Sequence, residues 1–173
     1  MPGVKLLNPA LHDAPHATTK TEMRLPVDPA DFKEEAGLQP YYKLHGSIKW
    51  IASADGQGPL LIMGGNKAIE ITQYPLLAWY HKKFIEYLTR PDTRLMVIGY
   101  SFGDRHINNA IMDAADKGGL SVFIIDPQGV DVLDKHKTLV SIKDPGELMA
   151  RLNPHIIGAS RRSLTATQPW LRP

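Results

Sequence analysis

The chain contains no cysteine, and that one absence removes disulfide frameworks, thiolate nucleophiles and thiolate-held zinc together. It agrees with a reducing compartment, so a cytoplasmic location is expected. Long hydrophobic runs are missing as well. The opening "MPGVKLLNPALHDAPH" has no continuous apolar core of the kind a secretory leader needs. No later run approaches the roughly 20 apolar residues of a membrane span, so no membrane partner is expected. Charge of one sign is also scarce: 20 basic against 18 acidic residues leave a net charge of +2. Neither an acidic tail nor a long basic block is present, and nucleic acid is not an expected partner. Lys82-Lys83 and Arg161-Arg162 read as solvated surface pairs. Internal repeats and low-complexity tracts are absent.

What is present is a chain of 173 residues, 43% hydrophobic, long enough for one domain with a real core and too short for two comfortable ones. Residues 1–39 are rich in proline and polar residues without a sustained period, and read as an irregular arm. A domain that opens this way looks like part of a larger fold whose upstream half is missing.

From Tyr41 the pattern sharpens. "YYKL" reads as a short strand ending at His45-Gly46. "IKWIAS" and "PLLIM" flank a turn at Asp55-Gly56 and read as a β-hairpin. Leu77, Tyr80, Phe84 and Leu88 recur at helical spacing, with Pro75 in the first turn and Pro91 just past the end. "LMVIG" is a continuous apolar run of the kind buried on both faces of a parallel sheet. A loop, "SFGD", leads into a helix with Asp104 as its N-cap and with Ile107, Ile111 and Ala114 on its inner face. Gly118-Gly119 stops that helix before a second strand, "LSVFIID". "PQGVDVLDKHK", "TLVSI" and "DPGELMARL" continue as helix, strand and helix, with Asp144 capping the last. The fold class is therefore α/β: a Rossmann-like parallel sheet with helices on both faces and a β-hairpin insertion.

In such sheets ligands bind beyond the carboxyl ends of the strands, which singles out Gly99–Asp104 and Asp126. "GYSFG" fits the G-x-S-x-G nucleophile elbow, and Ser101, Asp126 and His155 follow in the chain order of a hydrolase triad. Against this serine hydrolase reading, Asp126 lies on the very next strand and His155 follows a short terminal helix. The same letters equally describe a small-residue loop that lets a nucleotide approach the backbone. For Asp126, a turn residue before Pro127 is the plain alternative to ligand contact. His81 and His106 are expected on helix surfaces. Asn108 and Asn109 serve equally well as ligand-positioning groups or as a polar helix face. His12, Asp13 and His16 are close in sequence, but Pro15 breaks any regular helix there, and no metal site is expected.

"YYKLHGSIKW", "QYPLLAWYHKKFIEYL", "GYSFGDRHIN" and "VFIIDP" together resemble the sirtuin-like domains of bacterial NAD-consuming proteins, including those of phage defence. The resemblance runs from about residue 40 to residue 152 and covers the carboxyl-terminal half of such a domain, leaving residues 153–173 as a tail. It implies that His45 is the catalytic base acting on the ribose hydroxyls beside the nicotinamide. It implies that Gly99 and Ser101 lie along the cofactor, and that Asp126 stands where the family holds the adenosine ribose. The implied activity is hydrolysis of NAD to nicotinamide and ADP-ribose. Deacetylase sirtuins carry a four-cysteine zinc module that a cysteine-free chain cannot build, so no zinc is expected. The family's glycine-rich pyrophosphate loop lies upstream of the histidine, and residues 1–40 contain no G-x-G-x-x-G. The expectation is thus an NAD glycohydrolase if an upstream half completes it and an inactive fragment otherwise, with a homo-oligomer or a completing upstream chain as the expected protein partner. The alternatives are a non-catalytic NAD, ADP-ribose or partner-binding remnant, and the serine hydrolase.

Overall fold

The computed structural model describes residues 2, 4–6, 24–52, 58–138 and 145–161. The chain divides into two compact units, residues 1–84 and 85–173. No helix among the described residues is long and apolar enough to cross a membrane.

The first unit carries a four-stranded sheet built from β1 (Val4–Leu6), β2 (Arg24–Pro26), β3 (Gly46–Ile51) and β4 (Pro59–Leu61), in that spatial order. β1 is antiparallel to β2, β2 parallel to β3, and β3 antiparallel to β4. The expected hairpin is present, although its Asp55-Gly56 turn lies outside the described residues. The arm read as irregular supplies β1 and β2. Strands of three residues are too short to show alternation, so they leave no periodic signal.

"YYKL" is not a strand: Leu44 and His45 form a turn, and the strand starts at Gly46. The aromatic side chains explain this. The Tyr42 ring stands edge-on to Tyr80 with centroids 5.0 Å apart, and its hydroxyl donates to Glu34. Packing of that ring into the core competes with a regular ladder. The core itself gathers Trp50, Leu60, Ile62, Ile71, Leu76, Leu77 and Tyr80. Apart from Ile62, which follows β4 directly, those residues come from β3, β4, α1 (Lys67–Gln73) and α2 (Pro75–Leu88). Burial of each large apolar side chain stabilises by about 1.5–3 kcal/mol, so this cluster holds the hairpin against the helices. α2 has the bounds its period and prolines predict.

The second unit is a three-stranded parallel sheet flanked by helices. Its elements are β5 (Arg94–Ile98), α3 (Arg105–Gly118), β6 (Ser121–Ile125), a 3-10 helix (Gly129–Thr138), α4 (Pro145–Leu152), a 3-10 turn (Asn153–His155) and β7 (Ile156–Ser160). The sheet order is β5-β6-β7 with all pairs parallel. This parallel sheet with its helices, together with the antiparallel hairpin, is the expected α/β, Rossmann-like class. α3 ends where the sequence predicts, with Gly119 left-handed at φ 69°.

Three readings change in this unit. Among the described residues β5 is an edge strand, and its burial alternates: Val97 is buried, while Met96 and Ile98 are 59% and 45% exposed. An apolar run looks the same in sequence whether one face or both are covered. The segment "PQGVDVLDKHK" is 3-10 rather than α-helical. Residues read as a tail form β7, the third strand. Its interior Gly158 lies against the Phe123 ring, where an added Cβ would come within 2.5 Å of Cε2. The "TLVSI" strand beyond Thr138 and the Asp144 cap lie outside the described residues. Arg151 on α4 bonds Asp113 and Asp116 of α3 at 3.0 and 2.8 Å, which ties the two helices together.

Candidate functional site

The carboxyl ends of β5 and β6 lie side by side, because Ile98 pairs with Ile125 and Ile125 with Ser160. The ladder continues one step past the strands. Gly99 N–H donates to Ile125 O at 3.0 Å, and Asp126 N–H donates to Ser160 O at 3.0 Å. The second unit therefore brings three of the expected site residues, Gly99, Ser101 and Asp126, to one sheet edge.

Gly99 has φ +60°, and a Cβ built on it would meet no protein atom within 4 Å. Its glycine identity is a backbone requirement. Ser101 is exposed. Phe102 is fully buried, although its φ of +55° is uncommon for a bulky residue. Its ring packs against Tyr100 with centroids 4.9 Å apart. The Tyr100 hydroxyl lies 3.0 Å from Asn108 Oδ1 and 3.2 Å from Asp104 O. Burial, with the Asp104 charge adding to it, raises the Tyr100 pKa, so the phenol stays a donor. Asp104 occupies the N-cap position of α3 as the sequence predicts, but its side chain makes no cap bond there.

Asp126 is 7% exposed. Its Oδ1 accepts from Gln128 N–H at 2.9 Å, and its carbonyl accepts from Gly129 N–H at 2.8 Å. One carboxylate oxygen thus builds the turn, as the plain reading of "DP" predicts.

His45 belongs to the first unit. The turn before β3 is closed by Gly46 N–H donating to Lys43 O at 2.9 Å, and His45 O accepts from Ile62 N–H at 2.9 Å. Gly46 has φ +80°, and a Cβ there would lie 2.1 Å from Leu60 O. The "HG" pair is therefore a structural unit: only glycine lets the chain pass so close to β4, and that passage sets the His45 backbone. The imidazole is half-buried.

The geometry argues against the hydrolase triad. His155 precedes β7, and Ile156 pairs with Val122 at the amino end of the sheet. The five residues from His155 to Ser160 at about 3.3 Å each put it roughly 16 Å from the edge that carries Ser101 and Asp126. A nucleophile elbow also strains its serine, whereas here the left-handed residues of the loop are Gly99 and Phe102.

His81, expected on a surface, is half-buried, and desolvation lowers its pKa. The His12, Asp13 and His16 group lies outside the described residues. A cavity of about 340 Å³ in the first unit is lined by Phe32, Leu60, Tyr74 and Leu76 among others, and by none of the expected site residues.

Sequence reasoning left Asn108 undecided. It is 4% exposed, and its Nδ2 donates to Phe102 O at 2.7 Å. The signal was available: Asn108 lies on the same helical stripe as Ile111, Met112 and Ala115, all buried, and a polar residue on an apolar stripe must find partners.

Comparison with known families finds that the model for the SIR2-like domain matches residues 5–143. Among curated proteins and among solved structures there is no significant match.

Proposed function

Because the chain belongs to the SIR2-like domain family, we propose that it binds NAD and that its reaction is hydrolysis of NAD to nicotinamide and ADP-ribose. The observation that carries this reading is the Gly99–Asp104 loop at the carboxyl edge of a parallel sheet, where open α/β folds receive ligands. Gly99 admits the cofactor to the backbone, Ser101 supplies a hydroxyl, and the start of α3 favours a phosphate. Asp126 keeps one oxygen in its turn and offers the other to a ribose hydroxyl.

His45 is the proposed base. Scission of the bond between ribose and nicotinamide leaves its electron pair on the nicotinamide nitrogen and positive charge on the sugar. A neutral imidazole takes a proton from a ribose hydroxyl as that charge grows; water then adds to the sugar carbon and loses a proton to solvent, and the imidazolium returns its proton to the ribose oxygen. The products are nicotinamide, ADP-ribose and one proton.

The test is nicotinamide release from NAD, with calorimetry of NAD and ADP-ribose alongside. His45→Ala is expected to lower release by about 10²–10⁴-fold with little change in NAD affinity. Release indifferent to His45→Ala removes the assigned base, and absence of binding removes the NAD reading. A binding-only role is the second reading, favoured by the lack of a G-x-G-x-x-G loop in residues 1–40. It predicts ADP-ribose binding without nicotinamide release. We extend the proposal to phage defence through NAD depletion in the cytoplasm. Bacteria expressing the wild type should then resist phage plating, and those expressing His45→Ala should not.

A further inference from the structure

We infer that Asn108 is the positioning residue of the Gly99–Asp104 loop, the group that fixes which backbone and hydroxyl groups of that loop meet the ligand. This rests on the reading of the loop as the NAD contact. Asn108 is one of few buried polar side chains among the described residues, at 4% exposure. A single amide engages the residues on both sides of Ser101: Nδ2 donates to Phe102 O at 2.7 Å, and Oδ1 lies 3.0 Å from the Tyr100 hydroxyl. The orientation is fixed by chemistry. A carbonyl only accepts, so the amide nitrogen faces Phe102 and the phenol donates to the amide oxygen.

What Asn108 holds is a conformation the loop would otherwise leave. Phe102 keeps φ +55° with its side chain fully buried, and such a backbone persists only where its surroundings over-determine it. The bond to its carbonyl is the restraint supplied by α3. Without it Phe102 relaxes toward negative φ, which rotates the peptide planes beside Ser101 and Gly103. Asn108 touches no reacting atom in this scheme; it acts through the loop.

Asn108→Asp tests this with almost no change of shape. The ionised carboxylate cannot donate to Phe102 O. The protonated acid can, while its other oxygen still accepts from Tyr100. Burial raises the pKa of the introduced carboxyl, so the switch falls within an accessible range. ADP-ribose affinity of Asn108→Asp, measured by calorimetry from pH 5 to pH 8.5 and divided by the wild-type value at each pH, should approach unity at the acid end. It should be about ten- to a hundredfold weaker at the alkaline end, the loss of one buried, charge-facing hydrogen bond. A ratio flat with pH in protein that circular dichroism reports as folded overturns the inference, because a purely stabilising role moves the melting temperature and not this ratio. Hydrogen exchange supplies the second readout. In Asn108→Ala the amides of residues 99–104 should exchange faster while those of β5 and β6 do not, and unchanged loop exchange overturns the inference. If the wild type binds neither NAD nor ADP-ribose, the NAD reading fails, and the exchange result alone decides whether Asn108 sets the loop.

Discussion

Among the described glycines of the first unit, Gly46 should be the one where an added methyl is most damaging. Two costs add. The residue sits at φ +80°, where an L side chain costs about 1–2 kcal/mol. The new Cβ would also lie 2.1 Å from Leu60 O and 2.9 Å from Leu60 C. Those are backbone atoms, so no side-chain rotation relieves the contact and β3 must move off β4. That movement removes the Gly46–Leu61 pairing and strains the bond from Ile62 N–H to His45 O, and a lost hydrogen bond adds about 0.5–1.5 kcal/mol. The sum is about 1.5–3.5 kcal/mol, against a total stability of roughly 5–15 kcal/mol for an ordinary domain. Gly64→Ala is the control. It too has positive φ, +109°, but a Cβ there meets nothing within 4 Å, so it carries only the backbone cost. Urea unfolding followed by circular dichroism measures both variants. At about 2–4 °C per kcal/mol, Gly46→Ala should also melt roughly 3–14 °C below the wild type. If the two variants lose the same stability, the close approach at Leu60 does not govern the turn, and the account of how His45 is held is wrong.

Three further outcomes are expected. Ser101 should not be labelled by a fluorophosphonate probe, and activated esters should not be turned over. Stoichiometric labelling that vanishes in Ser101→Ala would restore the hydrolase reading. His81 has a folded-state pKa lowered by desolvation from 6.5, so the unfolded chain binds its proton more readily. Its stabilising contribution is whole above about pH 6.5 and is lost as pH falls from there through the depressed folded value. Urea midpoints of wild type and His81→Gln should therefore converge on acidification, and a constant difference between pH 5 and pH 7.5 refutes this. Finally, we expect self-association, because β5, an edge strand among the described residues, exposes Met96 and Ile98. Light scattering should report an oligomer that Met96→Lys weakens, and a clean monomer at high concentration contradicts it.

The letters alone determined the elements whose signals are local. α2 announces itself by period and flanking prolines, α3 by its inner apolar face and Gly119, and β5 and β6 by apolar runs. The resemblance carried by "KLHGS" and "GYSFGD" indicated the family, and the match over residues 5–143 shows it. Local patterns stop where long-range pairing decides. β1 and β2 are too short to announce themselves, and β7 exists because Gly158 accommodates the Phe123 ring of a strand more than thirty residues away. Whether β5 is buried on one face or two is likewise a property of its neighbours. The triad order Ser, Asp, His was legible and misleading, since only a parallel pairing of β7 sends His155 to the far end of the sheet. Asn108 shows the same division: its place on an apolar stripe was there to be read, but its partners, the Phe102 carbonyl and the Tyr100 hydroxyl, are set by a loop whose left-handed residues no spacing rule reveals. Hydrogen-bond partners are chosen by the folded backbone, and tertiary structure alone decides them.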